Sequence, residues 1–267
     1  MRVPPLSPAT FARTIVERKT KCYKPPVAGA CSRTWRLTVV RRPSLAAIPF
    51  ALLVVAIAAL APRPLGGQTT PLSLDKLTLK GVVAEQTTYQ GRSAIRLVEA
   101  DKSRTNLGIA IVSGLALGDG SIEVDVAGRR GPYAVPDDRG FIGLAFRVAA
   151  DGSRFEYIYL RPDNGRVDDQ VRRNHATQYS SHPDFSFARM RKEFPEKYES
   201  YVDLEYGAWT RMRIDVAGAT ARLYVHDAKQ PALVVTDLKL GAGEGGVALW
   251  IGSGTEGYFS NLRVARR

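Results

Sequence analysis

Five side chains of this sequence could move protons. Glu123 and Asp125 stand two apart in SIEVDV, and Asp168 and His175 lie in the polar run DNGRVDDQVRRNH. Hydrolysis of a glycosidic bond needs two carboxylates at a suitable separation, so Glu123 or Asp125 with Asp168 or Asp169 is the pair to test. His175 is a base for neutral pH. A second group suits binding: Arg147, Tyr157, Tyr159, Arg161, Asn164, Arg172 and Trp250. Sugar C–H faces stack on aromatic rings, while hydroxyls take planar partners such as amide and guanidinium. The competing reading of each residue is an internal polar network or a solvated loop. His175 and His182 match no helical or finger spacing, so no metal centre is expected from them. No G-x-S-x-G, phosphate loop or dinucleotide fingerprint occurs, and Gly241, Gly243, Gly245 and Gly246 read as a turn.

These residues sit on short alternating runs punctuated by Gly, Asp and Pro, the pattern of an antiparallel sandwich. Strands are expected near 76–84, 93–98, 107–112, 121–128, 140–149, 154–161, 208–216, 219–226, 232–236, 246–251 and 257–265. Alternation assigns faces. Ile122, Val124 and Val126, then Ile142, Leu144, Phe146 and Val148, then Ile158 and Leu160, then Val247, Leu249 and Ile251 form the core side. Glu123, Asp125, Gly143, Ala145, Arg147, Phe155, Tyr157, Tyr159, Arg161, Ala248 and Trp250 form the other. From 162 to 206 the alternation stops. Tyr179, Phe185, Phe187, Phe194, Tyr198 and Tyr201 are too many aromatics for a solvated tail. This long irregular insertion is therefore expected to roof one sheet face, with a short helix near 188–194.

Four segments precede or complete this domain. Residues 1–44 form a basic extension with ten Lys/Arg and one acid, Glu17; 45–61 (LAAIPFALLVVAIAALA) form one apolar run; 62–71 read as a linker; and 72–267 form the sandwich. The run follows Arg41-Arg42 and ends in small residues, the parts of a secretory signal. Its alternative is an uncleaved anchor, the only membrane contact expected. The extension exceeds a normal signal n-region, and the true start is expected near Val39 or Val40. The protein is thus read as secreted or periplasmic, or membrane-anchored if uncleaved. The net charge of +12 belongs to the N-terminal part: beyond Arg63 stand 27 basic and 25 acidic residues. A nearly neutral domain lacks the footprint that phosphate backbones require, so nucleic acid is not an expected partner. Both cysteines, Cys22 and Cys31, precede the apolar run, which leaves the sandwich without disulfide or thiol chemistry.

SIEVDV as an early strand, FIGLAFR followed by FEYIYLRP, AWTRMRIDVAG with ATARLYVHD, and GGVALWIG…GYFSNLRV as a closing pair together resemble the concanavalin A-like lectin/glucanase superfamily, of laminin-G-like jelly-roll type. The nearest likeness is to bacterial 3-keto-disaccharide hydrolase domains, with Phe259, Ser260, Asn261 and Leu262 matching the closing strand. The resemblance spans about residues 72–266 and implies an all-β jelly-roll sandwich with a carbohydrate partner. Glycoside hydrolase family 16 shares that fold and uses Glu-x-Asp-x-x-Glu; here position 128 is Gly, so its catalysis is not carried over. Related sandwiches often carry Ca²⁺, for which Asp137 with Asp138, or Asp168 with Asp169, offer oxygens; no other cofactor is implied. The leading expectation is an exported carbohydrate-active domain that binds a sugar on its polar sheet face, with hydrolysis left open. The alternative is a non-catalytic interaction domain of the cell envelope that uses exposed aromatics of the insertion.

Overall fold

A computed structural model describes residues 68–69, 71–104 and 108–267. The basic extension and the apolar run lie outside the described residues. No described helix is long and apolar enough to cross a membrane.

The chain forms an antiparallel β-sandwich. Its strands are β1 Gln68–Thr69, β2 Leu77–Lys80, β3 Val82–Tyr89, β4 Arg92–Glu99, β5 Gly108–Leu117, β6 Gly120–Arg130, β7 Ile142–Val148, β8 Phe155–Leu160, β9 Thr177–His182, β10 Glu199–Ser200, β11 Thr210–Ala217, β12 Thr220–Val225, β13 Leu233–Val235, β14 Gly245–Ile251 and β15 Thr255–Arg266. One sheet runs β13-β12-β11-β6-β15-β4-β3, with β1 added to β15; the other runs β10-β9-β8-β7-β14-β5-β2. Between them lie Ile122, Val124 and Val126 from one sheet and Ile142, Leu144, Phe146, Ile158, Leu160, Val247, Leu249 and Ile251 from the other, all at most 1% exposed. Each such side chain stabilises the sandwich by roughly 1.5–3 kcal/mol on burial.

Three features depart from the alternation. The run 76–84 divides at Gly81, whose φ of 66° lies in the left-handed region. This break sends β2 into one sheet and β3 into the other. In β7 the register pairs Ala145 with Ala248 and Val148 with Gly246, so two residues oppose Val247. This is a β-bulge, and Arg147 takes a φ of 51° within it. Val148, expected on the core side with Phe146, therefore packs with Ala145 on the outer face.

The third departure is the insertion, which is ordered rather than irregular. It contains a helix α1 (Gln170–Asn174), the strand β9, a helix α2 (Phe187–Glu193) and β10. Strand β9 extends the sheet by pairing with β8 from Phe155↔His182 to Leu160↔Thr177. Its sequence TQYSSH conceals the strand because only Tyr179 needs to be apolar. Tyr179 faces the core, while Gln178 and Ser180 continue the outer face. Ser186 caps α2 by accepting from the Arg189 amide, which begins the expected short helix at Phe187. Tyr179 and Tyr198 are fully buried, whereas Phe187 and Tyr201 are exposed.

Candidate functional site: an aromatic-floored, arginine-walled cleft

The outer face of the seven-stranded sheet carries a cleft of about 620 Å³. Its floor follows from strand register. Trp250 pairs with Gly143, Gly143 with Tyr159, and Tyr159 with Gln178, so these four residues form one row across four strands. The next row is Ala248, Ala145, Tyr157 and Ser180. Side chains in one row stand above the same sheet face. With no side chain at Gly143, the rings of Trp250 and Tyr159 close over it at a centroid distance of 4.7 Å. Tyr157 lies 4.9 Å from Trp250 and 5.8 Å from Tyr159. All three rings are at most 8% exposed, so the floor is narrow and preset. Phe141 stands edge-on to Tyr159, and Phe187, 42% exposed, forms the rim.

Polar side chains close the walls: Arg139, Arg161, Asn164, Arg172, His175 and Arg191. Arg161 leaves the end of β8 and is anchored at every turn. It donates through Nη1 to the His175 carbonyl (2.9 Å) and Glu199 Oε1 (3.0 Å), and through Nη2 to Tyr159 Oη and Gln178 Oε1 (3.0 Å each). Asn164 donates to the same His175 carbonyl at 3.1 Å. Asp169 caps α1 by accepting from the Arg172 amide, which brings Arg172 and His175 to the mouth. Arg191 on α2 donates to both oxygens of Glu199. Burial pulls the Glu199 carboxyl upward, but the hydrogen bond from Arg191 and the charges of Arg161 and Arg191 outweigh it and hold the group below its ordinary value. Burial lowers both His175 and His182, which favours neutral imidazoles; His182 stacks on Phe155 at 4.9 Å.

Seven of the residues singled out from sequence meet in this cleft: Tyr157, Tyr159, Arg161, Asn164, Arg172, His175 and Trp250. Glu123 and Asp125 do not. They lie on β6, in the other sheet, and so cannot pair with the loop acids across the cleft. Asp125 is 2% exposed and accepts from Arg92 Nη1 (3.2 Å), Arg211 Nε (3.0 Å) and Asn261 Nδ2 (2.7 Å). It is the centre of an internal polar network. Alternation assigns a residue to one side of its own sheet and is silent on which sheet that is.

Arg147 is a second correction: the bulge turns it away from the floor, and it donates to the carbonyls of Gly241 and Gly218. Asp168 is a third, being exposed on the insertion and outside the cleft lining. Of the aspartates considered for Ca²⁺, Asp138 is buried and binds Arg104 in bidentate fashion, while the Asp137 side chain is 95% exposed. Among the described residues no group of three or more His, Cys, Asp or Glu side chains is placed to hold a metal ion.

Arg139, Phe141, Arg191 and the buried anchor Glu199 escaped the sequence reading, because they come from three segments that only folding brings together. The one signal available was the density of Arg and aromatics in the insertion.

No family model matches the chain, and no curated protein matches it. Among solved structures the chain is similar to the carbohydrate binding module CBM66 from Bacillus subtilis, at 14% identity over 69% of this chain and 94% of that one, with a TM-score of 0.44. It is likewise similar to a protein of unknown function with a galectin-like fold from Bacillus subtilis (10% identity, 72% and 91% covered, TM-score 0.47). A third is the Bacillus licheniformis beta-glucanase (14% identity, 76% and 88% covered, TM-score 0.35). At these scores the sandwich is read from the sheets of the chain itself, and the likeness to 3-keto-disaccharide hydrolase domains has no family match behind it.

Proposed function

We propose that this domain binds a carbohydrate in the cleft over Trp250, Tyr159 and Tyr157. The supporting observation is the aromatic floor beneath convergent Arg, Asn and His groups, the pairing of apolar surface with planar hydrogen-bonding partners that a sugar ring requires. Binding is favoured over hydrolysis by the carboxylates. Among the described residues the one acid lining the cleft is Asp137, whose side chain is 95% exposed, and Glu199 beneath the wall is held ionised by two arginines. An acid pair flanking a scissile bond has no second member there. The apolar run at 45–61, behind Arg41-Arg42, supports export of the domain. Titration calorimetry of the full chain against a panel of neutral and acidic oligosaccharides tests the reading. Binding by at least one member, lost in Trp250→Ala, is the expected result; no heat from any member would sink it.

A further inference from the structure

The walls of the cleft carry more positive charge than they neutralise. Arg139, Arg161, Arg172 and Arg191 line it, with Asp137 as the only lining carboxylate among the described residues. Behind the wall, Glu199 is shared by Arg161 and Arg191. Asp163 is shared by Arg130 at 2.9 Å, Arg172 at 3.7 Å and Arg139 at 4.0 Å. Five guanidinium groups thus divide three carboxylates. Arg172 is the least committed. Its Nη2 makes two long contacts, 3.3 Å to the Asp163 carbonyl and 3.4 Å to Asn164 Oδ1, and its Nε is buried without a hydrogen-bond partner among the described residues. A neutral sugar would leave this fork unused.

Arg139 and Arg172 also line a second cavity of about 450 Å³, together with Arg130 and Arg166. Arg139 and Arg172 therefore border both cavities; the Asp163 carboxylate lines the second, so the space for an acidic substituent is on the cleft side.

We propose that the carbohydrate held in this cleft carries an acidic group, a carboxylate or a sulfate ester, taken by Arg172 with Arg139 and Arg191. The inference rests on the carbohydrate reading of the same cleft and adds the class of sugar. Forked guanidinium donors match the planar oxygens of such groups.

Titration calorimetry of the full chain decides it with four probes: an oligogalacturonate, its methyl ester, a sulfated chondroitin oligosaccharide and its desulfated form. The expected result is that an acidic probe binds about tenfold or more tightly than the neutral ester, and that this margin shrinks as salt rises to about 0.5 M. Chondroitin carries a uronate carboxylate beside its sulfate, so sulfate is assigned only if the sulfated chondroitin probe binds more tightly than its desulfated form; equal binding of those two assigns the carboxylate. Arg172→Gln should remove most of the margin between acidic probe and ester; should that variant fail to fold, the ester comparison and salt dependence of the native chain decide alone. Equal or tighter binding of the ester overturns the acidic assignment while the sugar site stands. Failure of these probes and of every neutral oligosaccharide removes the carbohydrate reading, and this inference with it.

Discussion

Arg161 Nη1 and Glu199 Oε1 meet at 3.0 Å with both side chains at most 5% exposed, directly behind the cleft wall. The pair ties the end of β8 to the start of β10, and Arg191 of α2 joins it from the solvent side. One carboxylate thus links α2 and β10 of the insertion to the end of β8, beside the β8–β9 ladder. Replacing it strands Arg161 in a buried site without its counter-ion. Glu199→Gln is expected to lower unfolding free energy by about 3–5 kcal/mol, measured by denaturant titration. Arg191→Gln, at a side chain 41% exposed, should cost about 1 kcal/mol or less. Glu199 is held below its ordinary pKa, so its contribution is present above the ordinary glutamate value and is lost as pH falls beneath it.

The floor gives a second expectation. A Cβ placed on Gly143 would collide with the Ile158 carbonyl oxygen and come within 2.7 Å of Tyr159 Cβ. Gly143→Ala should cost about 1–3 kcal/mol of stability and push Tyr159 away from Trp250, lowering sugar affinity in calorimetry. Trp250→Phe, which keeps an aromatic over Gly143, should bind more tightly than Trp250→Ala.

The opposite sheet supplies a control. Glu123→Gln and Asp125→Asn should leave sugar affinity unchanged, because β6 lies in the sheet away from the cleft. Asp125→Ala should nonetheless destabilise the fold by about 1–3 kcal/mol, since Arg92, Arg211 and Asn261 lose their shared acceptor. A matched loss of stability without loss of binding, read by thermal melts beside calorimetry, is the expected signature.

Glu156 behaves oppositely to Glu199. It is fully buried on the core side, accepting from Tyr179 Oη at 2.5 Å and the Leu240 amide at 2.6 Å. Burial is the largest influence on it and raises its pKa above the ordinary value. A raised carboxyl contributes stability that is fully present below the unfolded value and is lost as pH rises through the folded one. Glu156→Gln should therefore flatten the decline of the melting temperature as pH rises above about 4.5. An unchanged pH profile in that variant would contradict the assignment.

How much of this could be read from the chain depends on the range of each signal. Period-two alternation named the core residues and the outer-face residues of β6, β7, β8 and β14, because burial of aliphatic side chains on one side is a local requirement. It also put Tyr157, Tyr159, Arg161 and Trp250 on the outer side of their strands. It failed at Arg147 and Val148, where a bulge adds one residue, and at β9, where a polar strand needs only Tyr179 to face inward. The sequence by itself determined that the domain is an antiparallel sandwich with an aliphatic core and an aromatic, charged outer surface. Only the tertiary structure decided which outer residues are neighbours. Strand order put Glu123 and Asp125 in one sheet and Tyr159 in the other, and register folded Trp250 and Tyr159 over Gly143. Both are set by pairings between segments far apart in the chain, and the pattern within any one strand holds no record of its partner.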